Sequence, residues 1–218
     1  MTLIAVHHEP GADETSLRDR VVDAALGEAE QHGWEGVRLT EVAARLEVPM
    51  ATVLAEFRDL DAVGNAWFQR GLEAMLADTP DGFDHWPEAQ RLAHRLLAWC
   101  DALAVHRRVT VEMLRTKAHL PHLHTWVPMV FDLSRIVQWW REAARLPARY
   151  GTRRAQVEEL ALTGLFLATL AVWAADASEG QARTRRFLEK RLARGAHCMK
   201  WVPGAQAQDR AQTAAVQI

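Results

Sequence analysis

The stretch from Leu17 to Phe57 constrains the fold more than any other part of this chain. Leu17 to Gln31 (LRDRVVDAALGEAEQ) reads as an amphipathic helix, and the bend HGWEGVR follows it. Leu39 to Leu46 (LTEVAARL) is a short second helix, Glu47-Val48-Pro49 a tight turn, and Met50 to Phe57 (MATVLAEF) a third helix. Two short helices joined by a turn of about three to four residues form a helix-turn-helix. In such a module the third helix enters a DNA groove. Here it carries Glu56 and no Lys or Arg before Arg58.

The charge around that module has the wrong sign for phosphate. Residues 1–70 hold thirteen acids and six bases, a net −7. The whole chain is −2, so residues 71–218 carry about +5. Phosphate contacts supply most non-specific DNA affinity, so a DNA-contacting domain is normally basic.

The rest of the chain predicts helices only. Leu, Ala, Arg and Glu dominate, and strand-like runs of Val, Ile, Thr and Tyr are absent. A linking helix is expected over 59–77, then helices over 87–105, 108–117, 126–146, 154–175 and 178–200. Pro- and Gly-containing breaks such as DTPDGFDH separate them. The expected organisation is a disordered N-terminus at 1–15, a helix-turn-helix domain at 16–58, a linking helix with a helical bundle at 59–202, and a disordered tail at 203–218. Leu160 to Ala175 is the most apolar run, about 16 residues where a membrane span needs about 20. It reads as a helix buried in protein. The opening MTLIAVHHEPGADET has no basic n-region and no long apolar core, so no signal peptide is expected. Cys100 and Cys198 fit no metal spacing and point to free thiols in a reducing compartment, with one disulfide left open.

The stretch VVDAALGEAEQHGWEGVRLTEVAARL, with Ala24, Ala25, Gly33, Val42 and Ala43 in place and Phe57 closing the third helix, resembles the TetR family of bacterial regulators. The resemblance implies an all-α, TetR-like fold with an N-terminal three-helix helix-turn-helix unit and a C-terminal helical bundle. It also implies a cytoplasmic homodimer joined through the last two helices, a small apolar ligand in the bundle, and duplex DNA as partner. Ligand binding would shift the linking helix and so change the spacing of two reading heads relative to one DNA turn. The sequence departs from the family where DNA is touched. Glu47 stands in place of the turn Gly, Pro49 in place of a polar helix-start residue, and Leu54 in place of a Tyr. Glu56 replaces a base or His, and Leu60 a Lys. Groove-facing candidates that remain are Thr40, Arg45, Met50, Ala51, Thr52 and Arg58. Thr40 reads first as N-cap of the second helix, and Arg45 and Arg58 read equally as ordinary surface charges.

By the same resemblance Trp99, Met113, Trp126, Met129, Trp139, Phe166 and Trp173 are candidates to line the ligand pocket; most of them read as core, with some left to line a pocket. The Gly164 region (LTGLFLATLAVW) has small residues suited to close helix approach. His119, His122 and His124 cluster, but Pro121 interrupts them and no Cys or carboxylate set lies near, so they read as a loop or one polar anchor rather than a metal site. No cofactor is expected. No GxSxG, P-loop, HExxH or dinucleotide fingerprint occurs, and an enzyme is not expected.

The final helix is basic and amphipathic, with Arg183, Arg185, Arg186, Lys190, Arg191, Arg194 and Lys200. It reads as a packed helix with a solvated face, or as one resting on an anionic membrane. Its sequence DASEGQARTRRFLEKRL is similar to the closing pattern of a TetR-fold lipid-binding family of coenzyme-Q biosynthesis, which works at membranes without binding DNA. The sequence thus leads first to a ligand-responsive regulator. The alternatives are a lipid-binding accessory protein, or a module whose acidic head docks a basic protein.

Overall fold

The computed structural model describes residues 15–77, 79–118 and 123–199, with side chains omitted for 118, 123–132 and 196–199. Every regular element among the described residues is helical. The two tails, the loop histidines 119 and 122, and the side chains of Trp126, Met129, His124 and Cys198 lie outside the described residues. The chain divides into two compact units, Met1–Ala66 and Trp67–Ile218. The division falls inside a helix rather than at residues 58/59.

In the first unit, α1 is Leu17–His32, α2 Leu39–Arg45 and α3 Met50–Glu56. Ser16 caps α1 by accepting the Asp19 N–H at 3.1 Å. Gly33, at φ 77°, ends the helix. The apolar stripe of α1 (Val21, Val22, Ala25, Leu26, Ala29) packs into one core with Trp34, Val42, Val53 and Phe57. Arg18 links the first and last helices of this unit. It donates to the Glu56 carbonyl at 3.0 Å and lies over the Phe57 ring at 4.3 Å.

The α2–α3 turn closes with two backbone bonds, Glu47 N–H to Ala44 O and Val48 N–H to Ala43 O, both 3.1 Å. That pairing requires a left-handed residue just past the helix, a place usually held by Gly. Glu47 occupies it at φ 56°. The N-cap of α2 is Arg38, without a side-chain bond, and Thr40 sits inside the first turn. The expectation that Thr40 caps α2 is therefore corrected, because the helix begins at Leu39, two residues earlier than a cap at Thr40 requires. Pro49 holds the N-cap of α3, where it likewise offers no side-chain acceptor.

The second unit opens within α4 (Leu60–Leu76) and continues through α5 (Glu88–Leu103), α6 (Arg107–Ala118), α7 (Leu123–Ala143), α8 (Arg153–Ala174) and α9 (Ala182–Met199). Pro87 precedes α5 as its N-cap, where its missing N–H costs no helical bond. Helix α5 packs against α7 and α9, and α8 against the same two. Buried Arg95 ties the ends of α4 and α7 together, donating to the carbonyls of Met75, Ala77 and Ala143. Trp140 donates to Leu92 O at 2.9 Å and Trp67 to Thr110 Oγ1 at 2.9 Å, so these two indole N–H groups are satisfied in the core.

By length and composition α8 is apolar enough to cross a membrane. One side of it (Leu162, Phe166, Thr169, Trp173) is buried in the bundle. The other side exposes Val157, Leu160 and Leu167, with Leu160 at 78%.

Candidate functional site: an acidic head and an apolar cleft

The outward side of α3 consists of Met50, Ala51, Leu54 and Ala55. Met50 is 41% exposed and Leu54 62%. Neither can bond a phosphate. The two candidate cations nearby are already engaged. Arg45 pairs with Glu28 at 3.1 Å, its guanidinium lying against Gly27, where a Cβ would come within 3.0 Å. Arg58 pairs with Asp59 at 2.9 Å. Thr40 is exposed on α2 and Thr52 half-buried on α3. The six groove-facing candidates therefore share a head, but its charged members point their charge at neighbouring carboxylates.

In the second unit the aromatic candidates Trp99, Phe166 and Trp173 are core residues. Trp99 meets Phe166 at 5.5 Å and Trp173 at 6.3 Å between ring centroids. Trp99, Phe166, Trp173 and Met113 are all buried, whereas Trp139 is 45% exposed. Trp99, Phe166 and Trp173 thus pack on one another, and none of them lines the cleft between α5, α8 and α9.

An open cleft of about 780 Å³ lies elsewhere, between the start of α5, one face of α8 and the last half of α9. Its volume falls in the range of about 300–1,000 Å³ common for small-molecule sites. Leu92, Leu162, Leu165, Phe187 and Leu192 give it an apolar lining, and Ala161, Gly164, Ala168 and Gly195 keep that lining low. A Cβ at Gly164 or Gly195 would meet nothing within 4 Å, so packing within the chain does not demand Gly at either place. Sequence reasoning missed most of these residues. The small-residue run around Gly164 was the available signal.

The polar groups of the cleft are Glu88, Arg154, Glu158 and Arg191. Buried Glu158 has both oxygens engaged, one by Arg154 at 2.9 Å and the other by Arg141 at 3.0 Å. Arg154 also approaches Glu88 at 4.0 Å. Arg191 lies over the Phe187 ring at 5.2 Å. No group of three His, Cys, Asp or Glu among the described residues is placed to hold a metal ion. Burial pushes the Cys100 thiol up to about 12, with Asp101 adding to the effect, so it stays protonated and inert.

The crystal structure of the TetR transcriptional regulator from Nitrosomonas europaea ATCC 19718 superposes with a TM-score of 0.72. It is 39% identical over 82% of this chain and 97% of that one. The chain belongs to the TetR family. Within this TetR-family chain, residues 149–198 also match the COQ9 family, a span that holds α8 and α9 and most of the cleft lining. No curated protein matches the chain. Both resemblances read from the sequence are thus supported, and the all-α TetR-like fold with them. The head keeps the helices and the turn, and its Glu47, Pro49, Leu54 and Glu56 bring no side-chain donor for a phosphate.

Proposed function

We propose that this TetR-family protein binds an elongated apolar molecule in the α5–α8–α9 cleft and acts as a lipid-binding accessory protein of the COQ9 type in the cytoplasm. The observation that carries this reading is the cleft itself: an apolar trough built chiefly by the two helices that match COQ9. The head supports it. A surface of Met50, Ala51, Leu54 and Ala55 beside Glu47 gives DNA neither donors nor a favourable field. The exposed apolar side of α8 supports a homodimer through α8 and α9, since such a stripe is the kind of surface a two-fold helical interface buries. Catalysis is not part of this reading.

The test is organic extraction of the purified protein followed by mass spectrometry, alongside binding to a random duplex DNA pool at about 50 mM salt. An extracted apolar compound with no enriched duplex supports the accessory role. An enriched palindrome overturns it in favour of the second reading, a ligand-responsive regulator. That reading is favoured by one specific observation, the 39% identity to a solved TetR transcriptional regulator across nearly all of that chain. Thr40, Arg45, Met50, Ala51, Thr52 and Arg58 are its groove-facing residues.

A further inference from the structure

The cleft has two cations, and their surroundings differ. The charge of Arg154 is answered by Glu158 at 2.9 Å and Glu88 at 4.0 Å. Arg191 stands over Phe187 at 5.2 Å and has no carboxylate partner among the described residues. The lining is formally neutral, two carboxylates to two guanidiniums, but the carboxylates gather at Arg154 and leave the Arg191 guanidinium unpaired beside an apolar wall of Leu165, Phe187 and Leu192. The Phe187 ring attracts that guanidinium through its face and accepts no N–H···O hydrogen bond, so the Arg191 N–H groups remain for another partner. Uncompensated cation and adjoining apolar trough match the two halves of one kind of ligand.

We propose that the cleft selects a single-chain amphiphile with an anionic head, the head paired with Arg191 and the chain laid along α8 over Gly164. This rests on the reading of the cleft as an apolar-ligand site and names its ligand class. Carboxylate and phosphate monoester heads share the required chemistry, since a guanidinium bonds either through two parallel N–H groups.

The experiment titrates the full-length protein with decanoate, monodecyl phosphate and decan-1-ol, below their aggregation limits, following tryptophan fluorescence. The wild type is expected to bind one or both anions about tenfold tighter than the alcohol, and their ratio tells carboxylate from phosphate. Arg191→Gln removes the preference of anion over alcohol. Arg191→Lys retains most of it by keeping the charge. Arg194→Gln, on an exposed residue outside the lining, leaves it unchanged. Equal binding of all three ligands, or an anion preference that survives Arg191→Gln, overturns the proposal while leaving the apolar site intact. Binding of none of them overturns the ligand-site reading itself.

Discussion

Arg45 and Glu28 form an ion pair at 3.1 Å across α2 and α1, and this pair turns a candidate DNA contact into part of the head's own structure. Glu28 is nearly buried, and His32 lies 3.8 Å from its other oxygen. Arg45→Ala strands that carboxylate. A fully buried broken pair costs about 3–5 kcal/mol and an exposed one about 0–1. With Arg45 half-exposed, a loss of about 1–2 kcal/mol is expected in urea unfolding. Any low-salt DNA affinity should change less than twofold. A loss of one unit in the salt slope, with stability untouched, would instead make Arg45 a phosphate contact.

Glu47 supplies a second test of the head. Its φ of 56° places an ordinary side chain in the left-handed region, at the one position of the α2–α3 turn where both closing hydrogen bonds demand it. Such a conformation costs a non-glycine residue about 1–2 kcal/mol. Glycine relieves that cost but gives back part of it in chain entropy, about 0.5–1 kcal/mol. Glu47→Gly is therefore expected to raise the unfolding free energy by about 0.5–1 kcal/mol. Glu47→Ala, which keeps the strain and removes only the charge, should not. Equal stabilisation by both substitutions would assign the effect to charge.

The head was legible in the sequence because its helices are short, its turn carries Pro49, and its apolar positions Val21, Val22, Ala25, Val42, Val53 and Phe57 recur at helical spacing. Glu47 was legible as a departure, although its left-handed backbone was not, since no side chain announces a positive φ there. The cleft was harder to read. Tryptophans draw attention as pocket residues, and here Trp99 and Trp173 spend their area on each other and on Phe166. A ligand wall made of Ala161, Gly164, Ala168 and Gly195 leaves almost no signal in a sequence, because small residues in helices serve close packing equally well. The pairing of Arg45 with Glu28 joins two helices and is a matter of spatial neighbours, which residue spacing alone does not reveal, whereas Arg58–Asp59 and Arg154–Glu158 are neighbours along the chain or one helical turn apart.

Asp176 organises the entry into α9. Thr184 donates its backbone N–H and hydroxyl to one carboxylate oxygen at 2.8 and 2.6 Å, and Ser178 does the same to the other at 2.9 and 2.5 Å. Burial alone would raise this carboxyl. The side-chain and backbone bonds from Ser178 and Thr184 outweigh it and hold the group well below the ordinary carboxylate value of 3.8. A carboxyl lowered by folding contributes stability that is complete above its unfolded value and disappears as pH falls through its folded value. Asp176→Asn should cost about 2–4 kcal/mol at neutral pH. The gap from wild type should narrow steadily below about pH 4. Urea unfolding of both proteins across that range checks it, and a gap independent of pH would mean that the carboxylate charge is not what holds α9 in place.

The last prediction separates core from cleft on a single helix. Phe166 faces the bundle interior and Gly164 the cleft, two residues apart on α8. Phe166→Ala removes a ring packed on Trp99 and Trp140 and should cost about 3–5 kcal/mol. Gly164→Leu adds a side chain where a Cβ meets nothing within 4 Å. It also replaces a poor helix former, so stability should rise by about 0.5–1 kcal/mol. The new side chain projects into the space assigned to the ligand, and decan-1-ol affinity should fall by at least about tenfold, the loss of roughly 1.4 kcal/mol of contact. A stabilised Gly164→Leu protein that binds the alcohol as well as wild type would move the ligand out of this cleft. A destabilised one would show that the open space beside Gly164 is already filled, by a second copy of the chain or by the protein itself.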